Sequence, residues 1–496
     1  MNCLVSILTT VLAVSLQPAD SVPDPTPITL EQAIQIAVTE SPTVKVADLE
    51  IEKTGYARKG TYSSLFPTID GSGAYQRTIK KQVMYMDFDM GAMGAGAGTG
   101  TDEAGAATDG TSAGSDTSSG TGAGANSPVS PGVGIEVGRW NTWNAGVTAA
   151  MPLINAQLWE SLKISDMDVE LAVEKARSSR IETVTQVKQA YFGVLLARQA
   201  FEVYKSVYEN ALENLELIQK RYNVQKASEL ELARAKTTLA NAIPNVYDAE
   251  NSIVLGLWQL KAVMGIDLDA NIDVVGSLND YGTQMLYDMS IGENADLADN
   301  STMRQLAIQA EQLASSIKLQ QKACLPTLSL AFSYSINAMT NDFKFDQYRW
   351  TPYSYVGLSL NIPIFAGGKR SNAIKQSRVQ ASQLKEQTIS TERQLKISIR
   401  QYLNTMETAV KSHGSAVNAA ETAQKVYDIA RKSYEVGRST LTDLNDAQLA
   451  LTQAQLSVSQ AVYNFVTAKA NLEGVLGTDY ISEDGEEFAL NASYNR

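Results

Sequence analysis

Apolar residues recur at alternating steps of three and four along residues 222–265, and the same pattern returns at residues 434–477. Adding 212 to a position in the first segment gives its counterpart in the second, so Tyr222 corresponds to Tyr434 and Gly265 to Gly477. Ten seam positions match large for large and small for small: Leu232, Ala235, Leu239, Ala242, Val246, Ala249, Ile253, Gly256, Leu260 and Val263 in the first, and Leu444, Ala447, Leu451, Ala454, Val458, Ala461, Phe465, Ala468, Leu472 and Val475 in the second. This pattern predicts coiled-coil helices and a chain made of two related halves.

The duplication extends upstream of these helices with a different offset. Pro67 corresponds to Pro326 at an offset of 259, whereas Pro152 corresponds to Pro363 at an offset of 211. The first half therefore carries an insertion of 48 residues between Pro67 and Pro152. Residues 91–134 consist mostly of Gly, Ala, Ser, Thr and Asp, which bury too little apolar surface to offset the entropy of ordering. We expect residues 91–134 to be disordered, within a Gly-rich loop insertion at residues 87–138.

Strict alternation of apolar and small polar residues predicts β-strands on both sides of this loop and in the second half. The clearest strands are at residues 328–338, 356–362 and 143–151, and a weaker one follows Pro67. Alternation over about ten residues fits a transmembrane barrel strand, with a soluble sandwich strand as the alternative. Four aromatic residues near one hairpin end fit an interfacial girdle: Tyr348, Trp350, Tyr353 and Tyr355.

Long helices are predicted between the strands and the seam. Residues 156–222 contain no proline and predict a helix of roughly 100 Å at 1.5 Å per residue, with a counterpart at residues 367–434. Pro244 and Gly414 are the internal helix breakers, and we expect a bend at Pro244. Residues 266–299 are polar and predict a connector between the halves.

Composition narrows the function classes. A net charge of −13 argues against nucleic-acid binding, and one His with two Cys leaves little material for a transition-metal site or a Cys/His nucleophile. We expect no metal, no cofactor and no enzyme activity, with His413 exposed and Cys324 simply packed. Residues 1–20 resemble a secretory signal peptide, and no later segment is apolar enough for a membrane helix.

Four membrane strands cannot close a barrel, since the smallest barrels use about eight, so several chains must combine. At this point the chain resembles the TolC family of outer-membrane efflux proteins over residues 28–477. The resemblance is carried by the opening segment 29–33 with Ser41-Pro42, the strand borders at Pro67, Pro326, Met151-Pro152 and Ile362-Pro363, and the second hairpin tip at residues 434–447.

The resemblance implies a mixed membrane fold. Each chain of a homotrimer would give four strands to a 12-stranded β-barrel in the outer membrane, continued by an α-helical coiled-coil barrel in the periplasm. The implied organisation is a first repeat at residues 28–265, a connector at 266–299, a second repeat at 300–477 and an acidic tail at 478–496. The implied function is the exit duct of a tripartite pump or type I secretion system, docked through a periplasmic adaptor to an inner-membrane transporter.

The resemblance also implies a gate at the periplasmic end. Its acidic rings match Asp443 and Asp446, and its closing contacts match Tyr434 and Glu231. The family's Arg in this tip falls on Ser439, so Arg438 is the candidate to replace it. The expected adaptor contacts are the two tips: Val224, Gln225, Lys226, Ala227 and Ser228 in the first, and Val436, Gly437, Arg438, Ser439 and Thr440 in the second.

Two other interpretations stay open at this point. One is a stand-alone outer-membrane pore without a pump partner. The other is a periplasmic structural coiled-coil protein, in which the alternating strands would be ordinary hairpins.

Overall fold

The computed structural model describes residues 26–85, 134–283, 285 and 297–477. The predicted signal peptide, most of the predicted loop 87–138 and the acidic tail lie outside the described residues. The chain divides into a strand unit, formed by Ser64–Asn155 and Pro326–Ile362, and a helical unit formed by the rest.

The elements follow the duplicated order. The first half contains β1 (Thr26–Ile28), α1 (Leu30–Glu40), α2 (Pro42–Ser63), β2 (Thr68–Arg77), β3 (Gln82–Tyr85), β4 (Gly134–Val137), β5 (Asn141–Ile154), α3 (Ala156–Asn223) and α4 (Glu229–Met264). The remainder contains β6 (Ile272–Val274), α5 (Leu278–Gly282), α6 (Ser301–Lys322), β7 (Thr327–Thr340), β8 (Thr351–Asn361), α7 (Lys369–Glu435) and α8 (Leu441–Leu476). The long helices and the four predicted strands are confirmed.

The strand unit contains a four-stranded antiparallel sheet in the order β2-β5-β7-β8. Strands β2 and β8 are its edges. A separate antiparallel pair joins β3 to β4, with Gln82 opposite Val137 and Tyr85 opposite Gly134. The last residues of the predicted insertion, 134–137, therefore pair as a strand.

Helices α4 and α8 show how closely the two halves agree. Each has 36 residues, and each ends at a glycine in the left-handed region, Gly265 with φ 75° and Gly477 with φ 74°. A left-handed residue stops a helix because it turns the chain away from the helix axis, and glycine does so without the steric cost of a Cβ.

The core of the helical unit is an apolar cluster in which α3, α4, α7 and α8 meet the short elements α1, β1, β6 and α5. Strand β6 pairs in parallel with β1. The Tyr191 hydroxyl of α3 donates to the Val275 carbonyl at 2.5 Å, and the Arg198 guanidinium donates to the Val274 carbonyl at 2.6 Å. Burial raises the pKa of Tyr191 to about 12, so this hydroxyl keeps its proton. The predicted connector is thus partly packed structure.

Several expectations about single residues need correction. Neither Pro244 nor Gly414 breaks its helix, because packing along α4 and α7 outweighs one unfavourable residue. The bend expected at Pro244 stays a prediction. His413 is half-buried: a Cβ on Gly282 would lie 3.3 Å from its Nε2, and burial lowers its pKa. Cys324 is an exposed free thiol.

None of the helices within the described residues combines the length and apolar character needed to cross a membrane.

Candidate functional site: the two hairpin tips

Residues 224–228 join α3 to α4 and form the first tip, and residues 436–440 join α7 to α8 and form the second. The backbone of both tips follows the same hydrogen-bond pattern. The N–H of Lys226 donates to the Arg221 carbonyl at 2.8 Å, and the N–H of Arg438 donates to the Ser433 carbonyl at 2.7 Å. A bond from an N–H to the carbonyl five residues earlier is typical of a Schellman ending, which satisfies the free carbonyls of a helix end.

The two tips differ at the residue that reverses the chain. Gly437 has φ 75°, the conformation that glycine adopts freely. Gln225 occupies the equivalent position with φ 57°, the one described non-glycine residue with positive φ. A side chain in this region costs about 1–2 kcal/mol, so the first tip stores strain that the second does not.

The returning helices begin with reciprocal caps. Ser228 Oγ accepts from the Glu231 N–H at 3.2 Å while the Glu231 carboxylate accepts from the Ser228 N–H at 2.9 Å. Thr440 and Asp443 make the same exchange at 3.2 and 2.9 Å. Hydrogen bonds from the Thr440 N–H and hydroxyl lower the pKa of Asp443, so its carboxylate is charged at neutral pH. Glu231 and Asp443, both expected at the gate, therefore also start their helices, whereas Asp446 lies one turn further and is exposed.

An apolar cluster joins the hairpins behind the tips. Its buried members are Ile218, Leu232, Ala235, Tyr427, Tyr434, Leu441, Leu444, Ala447 and Leu451. Tyr434 is 4% exposed. Burial is the main cause that raises its pKa, the negative charge of Glu231 adds to the rise, and Arg221 opposes it. The structure thus brings the predicted residues Tyr434 and Glu231 into one neighbourhood.

Arg221, which the sequence pattern did not single out, joins the end of α3 to the end of α7. Its guanidinium donates to the Tyr434 carbonyl at 3.2 Å and to the Glu435 carbonyl at 2.5 Å, and it lies 5.2 Å from the centroid of the Tyr434 ring. The last turn of α7 is thereby capped from the last turn of α3. The sequence signal, a basic residue in the last turn of a helix, is too common to be noticed alone.

Arg438 occupies an exposed position, and within the described part of the chain its guanidinium has no hydrogen bond or ion pair. Neighbouring Ser439 donates instead to the Ala430 carbonyl at 3.3 Å. Of the expected adaptor contacts, all are exposed except Ala227 and Ser439, which are half-buried. Two neighbouring loops of accessible side chains can contact another protein.

Nothing in the described ranges groups three or more His, Cys, Asp or Glu residues in a way that could hold a metal ion.

The model of a protein family described as "Outer membrane efflux protein" matches residues 33–266 and 294–478. Among curated proteins, the chain is 21% identical over 295 residues to outer membrane protein TolC of Vibrio cholerae serotype O1, covering 56% of this chain and 66% of that protein. It is 22% identical over 242 residues to alkaline protease secretion protein AprF of Pseudomonas aeruginosa, covering 48% and 49%. The matches span about half to two thirds of the length of these relatives.

Solved structures share the fold over most of the chain. The Campylobacter jejuni CmeC outer membrane channel gives a TM-score of 0.64 at 16% identity, covering 90% of this chain and 85% of that one. The outer membrane protein VceC of Vibrio cholerae gives 0.63 at 14% identity, covering 90% and 96%. The open state of the Neisseria gonorrhoeae MtrE outer membrane channel gives 0.62 at 15% identity, covering 90% and 88%.

Proposed function

The chain belongs to the outer membrane efflux protein family, and from this premise we propose that it is the passive exit duct of a tripartite efflux or type I secretion system. The protein lies in the outer membrane, with its helical part in the periplasm. Its relatives are channel proteins, and we propose that this chain likewise catalyses no reaction and needs no cofactor.

The observation that carries the proposal is the sheet with two open edges. Among the described strands, β2 and β8 each have one neighbour, which leaves a row of backbone N–H and C=O groups on their outer sides. Such groups cannot stay unsatisfied in lipid, so β8 of one copy would pair with β2 of the next. Three copies of the four-stranded sheet give the 12-stranded barrel that we propose.

The exposed side chains of the sheet support a lipid-facing surface. Val356 is 71% exposed, Leu358 67% and Leu360 60% on the edge strand β8. These residues alternate with Gly357 and Ser359, so one face of the strand is apolar. An apolar outer face is what a transmembrane barrel presents to acyl chains.

We propose the domain organisation that the duplication implies: repeats at residues 28–265 and 300–477, the connector 266–299 and an extracellular loop within residues 87–138. The energy for transport would come from an inner-membrane transporter, joined to the duct by a periplasmic adaptor. The adaptor would contact the exposed tip residues, from Val224 to Ser228 and from Val436 to Thr440.

The gate would be formed at the end of the helical unit that carries the two tips. Three copies each of Asp443 and Asp446 would make two acidic rings about one turn apart. Rings of carboxylates attract cations, repel anions and bind multivalent cations. Buried Tyr434 and its neighbour Glu231 would help to hold this end closed, and Arg438 would be free to pair with another copy.

Ion conductance in a planar lipid bilayer tests the proposal. The native protein is compared with an Asp443→Asn/Asp446→Asn variant, because Asn keeps an oxygen that can accept the Thr440 N–H and removes the charge. Glu229→Gln is the matched control, since it removes a carboxylate from the first turn of α4 and leaves the rings intact. The expected result is a small, cation-preferring conductance that a trivalent cation blocks in the native protein and in the control, but not in the double variant.

Two results would contradict the proposal at different levels. Equal block of all three proteins would remove the gate assignment and leave the duct. Absence of channels from well-folded protein would overturn the duct itself.

A further inference from the structure

The four-stranded sheet has an apolar face and a polar face, and the pairing of its strands shows which residues share each face. Successive side chains of a strand point to opposite faces, and directly paired residues share a face. Phe332 of β7 pairs with Val356 of β8, and both belong to the apolar face. The next residue of β7, Ser333, pairs with Tyr355. Tyr355 therefore lies on the polar face.

Tyr353 lies on the same polar face, two residues before Tyr355 and opposite Ser335. Within the four described strands, these two are the only aromatic residues on that face. An interfacial girdle needs aromatic side chains on the apolar face, so Tyr353 and Tyr355 do not belong to the predicted girdle. In the proposed barrel the polar face lines the lumen, and both rings would stand in the wall of the duct.

The two tyrosines form an open pair of rings, which we call the tyrosine shelf. Their ring centroids are 5.8 Å apart, and the ring planes are inclined by 45°. The paired residues on β7, Ser333 and Ser335, are small, and the next residue of β8 on this face is Gly357. Because these neighbours are small, the rings stay accessible: Tyr353 is 61% exposed and Tyr355 is 47% exposed.

The chemistry of the shelf favours one class of solute. Tyrosine rings stack on other flat rings and attract cations to their faces. The polar face carries negative charge, because Asp70 of β2 is its one charged side chain among the four described strands. A carboxylate in the wall of a lumen attracts cations and repels anions. Ring and charge together therefore fit a solute that is both flat and positive.

We propose that the tyrosine shelf is a binding site in the lumen of the duct for organic cations that carry a flat ring. This inference rests on the proposed duct, because only a closed barrel turns the polar face toward a lumen. Three copies would supply three shelves at the same height. Exposed rings bind weakly, as a conducting wall requires, since cargo must leave as readily as it enters.

Cysteine labelling tests where the shelf lies. In a Cys324→Ser background, Tyr355→Cys is compared with Val356→Cys, its neighbour on the apolar face. A charged, membrane-impermeant methanethiosulfonate is added to the protein in lipid nanodiscs, and mass spectrometry follows the reaction. The Tyr355→Cys thiol should react at least about tenfold faster, because the reactive thiolate forms in water and not in lipid. Equal rates, or faster reaction of Val356→Cys, would overturn the inference.

Binding of benzyltrimethylammonium, measured by saturation-transfer NMR on the protein in nanodiscs, tests the ligand. Tyr353→Leu/Tyr355→Leu should raise the dissociation constant about fivefold or more, because it removes both rings. Tyr334→Leu is the matched control, since Tyr334 is an exposed tyrosine on the apolar face, and it should change the constant less than about twofold. Tyr353→Phe/Tyr355→Phe should rescue binding, because it keeps both rings. Unchanged binding by the Leu pair, or equal loss in Tyr334→Leu, would contradict the shelf.

Two further probes test the class of solute. Tetramethylammonium has the charge without the ring, and benzoate has the ring with the opposite charge. Each should bind at least about threefold more weakly than benzyltrimethylammonium to the native protein. Equal affinity for either probe would overturn the assignment to flat organic cations.

Conductance in a planar bilayer separates this inference from the proposed function. If the native protein conducts but does not bind benzyltrimethylammonium, the shelf fails while the duct stands. If well-folded native protein does not conduct, the duct fails and the shelf fails with it. Circular dichroism verifies the fold of each variant, and Tyr353→Ser/Tyr355→Ser replaces the Leu pair if that pair does not fold, since serine already occupies this face at Ser333 and Ser335.

Discussion

At the scale of single residues, two glycines fix where the returning helices α4 and α8 end. A Cβ on Gly477 would lie 2.3 Å from the Asp299 carbonyl oxygen, and one on Gly265 would lie 2.7 Å from that of Glu40. Both glycines also have positive φ. Each returning helix therefore ends against the start of an upstream helix, α6 or α2, at a distance that only glycine allows.

Gly477→Ala should destabilise the protein by about 1–3 kcal/mol, because the side chain meets both a strained φ and a backbone oxygen. Gly414→Ala is the control, because Gly414 lies inside α7 with open space around its Cβ position. Alanine should raise the free energy of unfolding there by about 0.5–1 kcal/mol. Denaturation followed by far-UV circular dichroism measures both. Equal stability of the two variants would contradict this account of the helix ends.

At the scale of elements, the pair β3–β4 closes the base of the long insertion. The pairing of Tyr85 with Gly134 is the last one described before residues 86–133, so the two strands already meet in register where the insertion begins and ends. The described pairings of the sheet β2-β5-β7-β8 join residues on either side of this range. We therefore predict that the strands fold without the insertion.

Replacing residues 86–133 by Asn-Gly should therefore give a protein that folds, assembles and conducts like the native chain. Asn-Gly suits a two-residue turn between paired antiparallel strands. The measurement is the single-channel conductance, with circular dichroism to verify the fold. Loss of conductance from a correctly folded variant would show that the insertion is part of the pathway.

At the scale of the whole molecule, we propose that other copies cover surfaces that the described chain leaves open. Among the described residues, the outer sides of β2 and β8 have no strand partner. The second hairpin contacts the first through pairs such as Lys188 with Glu473 at 2.6 Å between α3 and α8. Repeating this contact pattern around an axis would satisfy both the strands and the helices.

We expect native mass spectrometry of the detergent-solubilised protein to give three chains per particle. The physical reason is that one chain supplies four strands, fewer than the roughly eight needed for the smallest barrel. Dissociation on heating in detergent should coincide with loss of the barrel. Folded, conducting single chains would contradict this assembly.

The sequence alone determined the features that are written locally. The seam at steps of three and four predicts α4 and α8, the alternation predicts β5, β7 and β8, and the constant offset of 212 predicts two equal hairpins. Even the caps were readable, since Ser228 precedes Glu231 by three residues and Thr440 precedes Asp443 likewise. Each of these signals repeats along the chain with the period of its element, so no knowledge of distant residues is required.

Only the tertiary structure decided which distant residues meet. The parallel pairing of β1 with β6, the half-burial of His413 and the clamp of Arg221 on α7 join positions about 130 to 250 residues apart. Such contacts leave no period in the sequence, because they depend on how both halves pack. The sequence pairs Arg221 with Ser433 through the offset of 212. Only the tertiary structure shows that Arg221 bridges the ends of α3 and α7.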